Sequence, residues 1–110
     1  MIEINVKRNG KDQVYDFKVE GHAYAAEAGQ DIICAGVSML TQTVILGLCD
    51  IVNVGIDYKI SDGFLHLRIP QRLTKVQRLK TDVLLETMIL GLKNIKESYP
   101  EYIILHDGEV

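Results

Sequence analysis

The sequence contains few of the residues on which several protein classes depend. It has no tryptophan, two prolines and two cysteines in 110 residues, and its net charge is -3. A disulfide scaffold needs more cysteines, and the C-x-x-C pair typical of thiol redox proteins and zinc sites does not occur. The negative charge and the aromatic fraction of 6% disfavour recognition of nucleic acid by charge or by base stacking. We therefore expect no metal, no other cofactor and no direct contact with nucleic acid.

Targeting signals are also absent from the pattern. No apolar run follows a basic start, and the apolar runs are shorter than a membrane span requires. We expect a cytoplasmic protein without membrane contact. Cys34 and Cys49 would be about 22 Å apart on a single helix. A disulfide cannot bridge that distance, and a reducing compartment disfavours one as well.

A regular succession of strand and helix patterns fills the chain, and it indicates a single domain, 1–110. Apolar and polar residues alternate in four segments, a further short apolar segment lies near the C-terminus, and apolar spacings of three and four indicate two helices. In chain order the segments are 2–8, 14–20, 31–49 (helix), 51–60, 64–70, 74–98 (helix) and 102–105. The sequence therefore predicts an α+β fold in the order strand-strand-helix-strand-strand-helix-strand. We expect a mixed or antiparallel sheet with the two helices packed on one face.

The second predicted helix has more apolar residues than one stripe needs. The predicted inner stripe consists of Val76, Leu79, Val83, Leu84, Met88, Leu92 and Ile95. Leu85, Ile89 and Leu90 extend beyond that stripe, so they could belong to the core or to a surface for a partner.

The segment GHAYAAEAGQDIICAGVS, residues 21–38, departs from the strand pattern and contains the chemically interesting side chains. Asp31 is a good N-cap candidate, which would make Cys34 the third residue inside the helix. The unpaired amides and the helix dipole at that position favour a thiolate. Ser38 follows Cys34 by one turn and therefore lies on the same face.

His22 lies twelve residues before Cys34, in a stretch that begins with Gly21 and includes Gly29. Glycine at both ends and small alanines between them would allow the stretch to fold back towards the helix start. A thiolate beside an imidazolium is the pair that cysteine-dependent acyl transfer requires. The sulfur attacks the carbonyl, and the imidazolium protonates the departing amine.

The residues alone leave three hypotheses open. The first is a cysteine endopeptidase with His22 and Cys34 as its catalytic pair. The second is a non-catalytic binding module that uses the sheet and a basic cluster at 68–80, with an incidental cysteine, since a cysteine in an alanine-rich helix is usually a small buried hydrophobe. The third is a thiol redox or metal protein, which has the weakest support because no cluster has ligand spacing.

Segment 21–38 resembles the ribosomal-processing cysteine proteases of bacteria, the Prp family. The matching positions are Gly21, His22, Ala23, Gly29, Asp31, Cys34, Ala35 and Ser38. The length and the element order agree with the family over the whole chain. The resemblance implies that Cys34 is the nucleophile and His22 the general acid and base. Gly21, Gly29, Asp31 and Ser38 are further positions of the family motif, and we expect them to shape or orient the site.

The resemblance also implies a substrate and a partner. In this family the substrate is the apolar, aromatic N-terminal extension of a large-subunit ribosomal protein, the twenty-seventh, and the protease is a homodimer. We take both as expectations for this chain. With this resemblance, the second hypothesis becomes a non-catalytic ribosome-assembly module that binds ribosomal protein or RNA.

Overall fold

The computed structural model describes residues 1–21 and 30–108, and for residues 30 and 31 it describes the backbone alone. The elements are β1 Ile2–Arg8, β2 Val14–Glu20, α1 Gln30–Asp50, β3 Asp57–Ser61, β4 Phe64–Arg68, α2 Lys75–Ser98 and β5 Ile103–Asp107. Their order confirms the predicted α+β succession of strands and helices.

The five strands form one mixed sheet in the order β3-β4-β2-β1-β5. Three pairs, β1–β2, β2–β4 and β3–β4, are antiparallel. Strand β5 runs parallel to β1 because α2 returns the chain to the other end of the sheet. In this sheet β3 and β5 are the two edge strands.

Both helices pack on the same face of the sheet, as predicted. The core joins alternate strand residues to the inner faces of the two helices. Its members include Ile4, Phe17 and Leu67 from the sheet, Val37 and Leu48 from α1, and Leu85, Met88 and Leu92 from α2. Alternation places the strand residues on one face, so the opposite face carries the polar side chains.

The helices run antiparallel, in close contact through glycine. A Cβ atom at Gly91 would lie 2.8 Å from the Leu40 side chain, and one at Gly47 would lie 3.5 Å from Leu84. Small residues at these points allow the two backbones to approach each other. The two helices therefore pack closely against each other. Among the described residues, both helices also carry apolar side chains that are exposed.

The predicted strand over 51–60 is wrong in its first half, because β3 begins only at Asp57. Val52 and Val54 are buried, but Asn53 between them has a positive φ of 62°. That left-handed conformation is incompatible with a strand. The amide of Val54 donates to the carbonyl of Leu48 at 2.9 Å, so this stretch folds back on the end of α1. The apolar alternation here arises because an irregular segment buries the two valines and exposes the residue between them.

The inner stripe predicted for α2 is wrong at three positions. Val76, Leu79 and Val83 are 58–66% exposed, whereas Leu85 and Ile89 lie in the core. The helix has two apolar faces, and periodicity cannot tell which of them meets the sheet. The N-terminus is close to its predicted position, since Thr74 is the N-cap and shares a capping box with Gln77.

Helix α1 is more apolar than the sequence pattern suggested. Residues 32–50 have a mean hydropathy of 2.0, and by length and composition they could cross a membrane. The expectation that no apolar run approaches a membrane span was therefore wrong. One side of the helix packs into the core, and the other exposes Ile32, Met39 and Leu46. The high hydropathy comes from two apolar faces on one helix.

Candidate active site

A cleft of about 380 Å³ opens between the first half of α1 and the hairpin of β3 and β4. Residues from four separate parts of the chain meet in it, including Ile2 of β1. They include Cys34, Ser38 and Thr41 from α1, Gly21 at the end of β2, and Ile60 and Gly63 from the hairpin. The cleft thus brings together three of the predicted site residues, which are Gly21, Cys34 and Ser38.

Cys34 is the fifth residue of α1 and is half-buried at the cleft. Side chains in a helix tilt towards its N-terminus, so Cys34 projects over the first turn, where the backbone amides lack helical partners. The prediction that Asp31 caps the helix is wrong, because α1 begins one residue earlier, at Gln30. The backbone of Asp31 therefore lies within the first turn of α1.

Two hydroxyl side chains follow Cys34 on α1, Ser38 and Thr41, and they lie in different environments. Ser38 is exposed in the cleft, one turn after Cys34, as the helical spacing predicts. Thr41 is buried, and its Oγ1 donates to the carbonyl of Val37 at 2.8 Å. The Thr41 hydroxyl is therefore engaged by the helix backbone, and Ser38 is the one available to a bound molecule.

Gly21 joins the end of β2 to the hairpin. Its amide donates to the carbonyl of Gly63 at 2.9 Å, and its φ is +95°. A Cβ atom there would lie 2.3 Å from the carbonyl oxygen of Met1. Both the backbone conformation and the contact therefore require glycine. The next residue in the chain, His22, and also Gly29 lie outside the residues that the structure describes.

Sequence reasoning missed the hairpin side of the cleft. Ile60 and the turn at Asp62 and Gly63 are about forty residues from Gly21, and nothing in their local pattern indicates a site. They reach the cleft because β4 pairs with β2, which places the hairpin turn beside the end of β2. The contribution of the hairpin to the cleft can therefore be known only from the pairing of β2 with β4.

Comparison with known families gives the enzyme class of the chain. A family model described as Cysteine protease Prp matches residues 1–104. The chain belongs to this family. It is an enzyme of the cysteine protease class, which is the enzyme class of the first hypothesis.

Curated Prp relatives match along nearly their whole length. The chain is 30% identical over 107 residues to the ribosomal processing cysteine protease Prp of Bacillus subtilis, covering 92% of each chain. It is 31% identical over 109 residues to Prp of Staphylococcus aureus, covering 96% of this chain and 98% of the relative.

Two crystal structures of Staphylococcus aureus Prp have the same fold. One is a complex with a covalently linked product peptide, and the other is a complex with a substrate peptide. Each has a TM-score of 0.84 and 28% identity, and the match covers 97% of this chain and 99% of that chain.

His66 and Arg78 interact with residues that do not line the cleft. His66 is on the sheet face opposite the helices, and its Nε2 lies 3.0 Å from the carboxylate of Asp16. Arg78 is paired with Asp82 and donates to the carbonyl of Val14 at 2.9 Å. Across residues 1–21 and 30–108, no group of three side chains has the composition of a metal site.

Proposed function

We propose that this Prp protease removes the N-terminal extension of a large-subunit ribosomal protein, the twenty-seventh, with Cys34 as nucleophile and His22 as general acid and base. The observation that carries the proposal is the position of Cys34, at the first turns of α1 and in an open cleft. The names of the relatives, ribosomal processing cysteine proteases, support the choice of substrate.

In the proposed reaction the Cys34 thiolate attacks the carbonyl carbon of the scissile peptide. A carbon–sulfur bond forms, and the developing oxyanion is stabilised by backbone amides at the start of α1. The carbon–nitrogen bond then breaks as His22 gives a proton to the leaving amine. His22 next takes a proton from water, which hydrolyses the thioester and releases Cys34.

The position of Gly21 supports His22 as the partner of Cys34. Gly21 precedes His22 in the chain, lines the same cleft as Cys34, and is held there by its hydrogen bond to Gly63. We further propose that Ser38 and Asp31 shape the site, because both belong to the first turns of α1, and that Gly29 allows the chain to enter the helix.

Mass spectrometry of a digest tests the proposal. The substrate is a peptide that carries the apolar N-terminal extension, and the enzymes are wild type, Cys34→Ala, His22→Ala and Cys49→Ala. We expect a single cut by wild type and by the Cys49→Ala control, which changes the half-buried cysteine near the far end of α1. Cys34→Ala should give no cut, and His22→Ala should lose about 100-fold or more in rate. Normal cutting by Cys34→Ala would refute the assignment.

We also propose that the enzyme is a homodimer and that the outer face of the helix layer forms its interface. On α1 the exposed apolar residues Ile32, Met39 and Leu46 recur every seven positions, which places them on one stripe. On α2 a second exposed stripe comprises Val76, Leu79, Val83 and Leu90. Exposed apolar stripes on both helices are a reason to expect a partner, and in a dimer with two-fold symmetry the second copy would cover them.

We also propose that the enzyme is cytoplasmic and has no membrane contact. A dimer interface would explain the high hydropathy of α1, so no membrane is needed to cover its exposed face. The proposed substrate, a ribosomal protein, is found in the cytoplasm. The net charge of -3 is the reason to propose that the substrate is a protein segment and that the enzyme has no nucleic acid contact.

A further inference from the structure

The edge strand β3 exposes apolar side chains on a face that is buried elsewhere. Tyr58 is directly opposite Leu67, and Ile60 is directly opposite Leu65, in the antiparallel pair of β3 and β4. Opposite residues of such a pair face the same side of the sheet, which here is the helix side. Leu65 and Leu67 are 6% and 1% exposed, whereas Tyr58 and Ile60 are 50% and 43% exposed. The helix layer therefore stops short of β3 and leaves an apolar ledge beside it.

The backbone of this strand is also open on one side. In the described part of the chain, β3 pairs with β4 and its other edge has no strand beside it. An edge strand of this kind is a template for pairing with another extended chain. Strand β3 contains no proline, and its two charged residues, Asp57 and Lys59, lie on the face opposite Tyr58 and Ile60, so the helix side of this edge carries no charge.

The ledge is continuous with the active-site cleft. Ile60 lines the cleft together with Cys34, and Tyr58 lies two residues further along the strand. At the rise of a strand, Tyr58 is about 7 Å beyond Ile60. A peptide that leaves the cleft along β3 would place the side chain of one residue on Ile60. The side chain two residues further along the peptide would lie on Tyr58.

We propose that the substrate peptide binds as an added strand on the outer edge of β3, with alternate apolar side chains on the ledge formed by Ile60 and Tyr58. The occupant follows from the proposed function, on which this inference rests, because a protease has to hold the chain that flanks the scissile bond. Hydrogen bonds to the β3 backbone hold any extended sequence, and the ledge selects apolar residues at every second position.

A binding measurement separates this proposal from catalysis. The probe is a fluorescein-labelled peptide with the apolar N-terminal extension, and its anisotropy is followed with Cys34→Ala protein, which holds the peptide without cutting it. Ile60→Ala and Tyr58→Ala, each added to Cys34→Ala, should weaken binding about tenfold and about fivefold, as loss of buried apolar contact predicts. Lys59→Ala is the matched control, since it lies between them on the same strand and faces the other side, and it should bind within about twofold of the parent.

A second probe tests the strand pairing itself. Peptides N-methylated at one position at a time lose one backbone donor each. On an antiparallel or parallel edge, the donors of alternate residues point to the neighbouring strand. Binding should therefore fall at every second position and be retained at the positions between.

The binding and cleavage measurements together distinguish failure of the β3 proposal from failure of the proposed function. Equal binding by Ile60→Ala, Tyr58→Ala and Lys59→Ala, or N-methyl effects without alternation, would overturn the β3 proposal while cleavage by wild type still supported the proposed function. A change of oligomeric state in Ile60→Ala without a change in peptide affinity would also overturn it, since the edge would then serve a second copy. Binding that depends on the ledge, combined with no cleavage by wild type, would uphold β3 as a peptide site and count against the proposed chemistry.

Discussion

At the residue scale, Gly21 shows how one position fixes the geometry of the cleft. It has a positive φ, contacts the carbonyl of Met1 and donates to Gly63, so it connects the N-terminus, β2 and the hairpin. A side chain at Gly21 would meet backbone, which cannot rotate away as the end of a flexible side chain can. Its replacement therefore has to displace the chain immediately before His22.

We expect Gly21→Ala to lower the free energy of unfolding by about 1–3 kcal/mol, as residues held in disfavoured backbone regions do. It should also lower kcat/KM at least tenfold, because the cleft is displaced. Gly10→Ala is the control, since a Cβ atom there meets nothing within 4 Å. Urea unfolding and peptide cleavage measure both effects, and unchanged cleavage by Gly21→Ala would contradict the role given to this position.

The residues of the site differ in how far the sequence could predict them. Cys34 and Ser38 share a face because helical spacing is a local property, and the structure has both in the cleft. Ile60 and Gly63 could not be predicted, because their proximity depends on the pairing of β2 with β4. Their local pattern is that of an ordinary hairpin.

At the scale of elements, an ion-pair network ties β1, α2 and β5 together. Arg8 donates from Nε to Asp107 at 2.8 Å and from Nη1 to Glu86 at 2.6 Å, and Lys93 donates to Asp107 at 2.8 Å. Hydrogen bonds from Arg8, and then from Lys93, hold the pKa of Asp107 below its ordinary value of 3.8, although partial burial acts in the opposite direction. The network fixes the parallel strand β5 against the rest of the fold.

This network predicts an acid-dependent stability. Because the pKa of Asp107 is lower in the folded protein, its contribution is present above the ordinary value of 3.8 and is lost as the pH falls through the folded pKa. Asp107→Asn should unfold at lower urea concentration than wild type at pH 7, and the difference should shrink below pH 4. The control is Asp12→Asn, since the Asp12 side chain is 87% exposed and lies 3.7 Å from Arg8. A urea midpoint difference that is constant from pH 7 to pH 3 would contradict this account.

The N-terminus of α2 provides a second test at this scale. The Thr74 hydroxyl accepts from the amide of Gln77 at 3.0 Å, and the Gln77 side chain accepts from the amide of Thr74 at 3.0 Å. Thr74→Ala should cost about 1 kcal/mol of unfolding free energy, the usual loss for an N-cap. Thr74→Ser, which keeps the hydroxyl, should recover most of that loss in the same urea titration. A cost as large for Thr74→Ser as for Thr74→Ala would show that the hydroxyl is not what stabilises the helix start.

The elements themselves were predicted well where their patterns are local. Strict alternation identified β1 and β4, and spacings of three and four identified both helices. The errors arose where the burial of a residue depends on an element elsewhere in the chain. Val52 and Val54 mimic a strand because they are buried by the end of α1, and the inner face of α2 depends on where the sheet lies.

At the scale of the whole molecule, the outer face of the helix layer predicts a change of oligomeric state. Met39→Lys and Leu46→Lys should each shift the protein from dimer to monomer, because a charge would be buried in the proposed interface. Both side chains are 61–70% exposed in the single chain, so the monomer fold should survive. Ile104→Lys is the control, since it adds the same charge to the opposite face of the sheet, across from Glu3. Sedimentation velocity measures the outcome, and a dimer retained by both helix variants would rule out this interface.

The antiparallel contact between the helices also determines the order in which the newly made chain can fold. Helix α1 leaves the ribosome well before α2, which supplies the Leu84 and Gly91 contacts that cover part of it. Until then, an apolar helix is presented by a chain that is still attached to the translation machinery. Such exposed surface is the kind that chaperones bind and that aggregates at high concentration. Strand β5 follows all the other described elements in the chain and pairs with β1, so the sheet is complete only after β5 has been made.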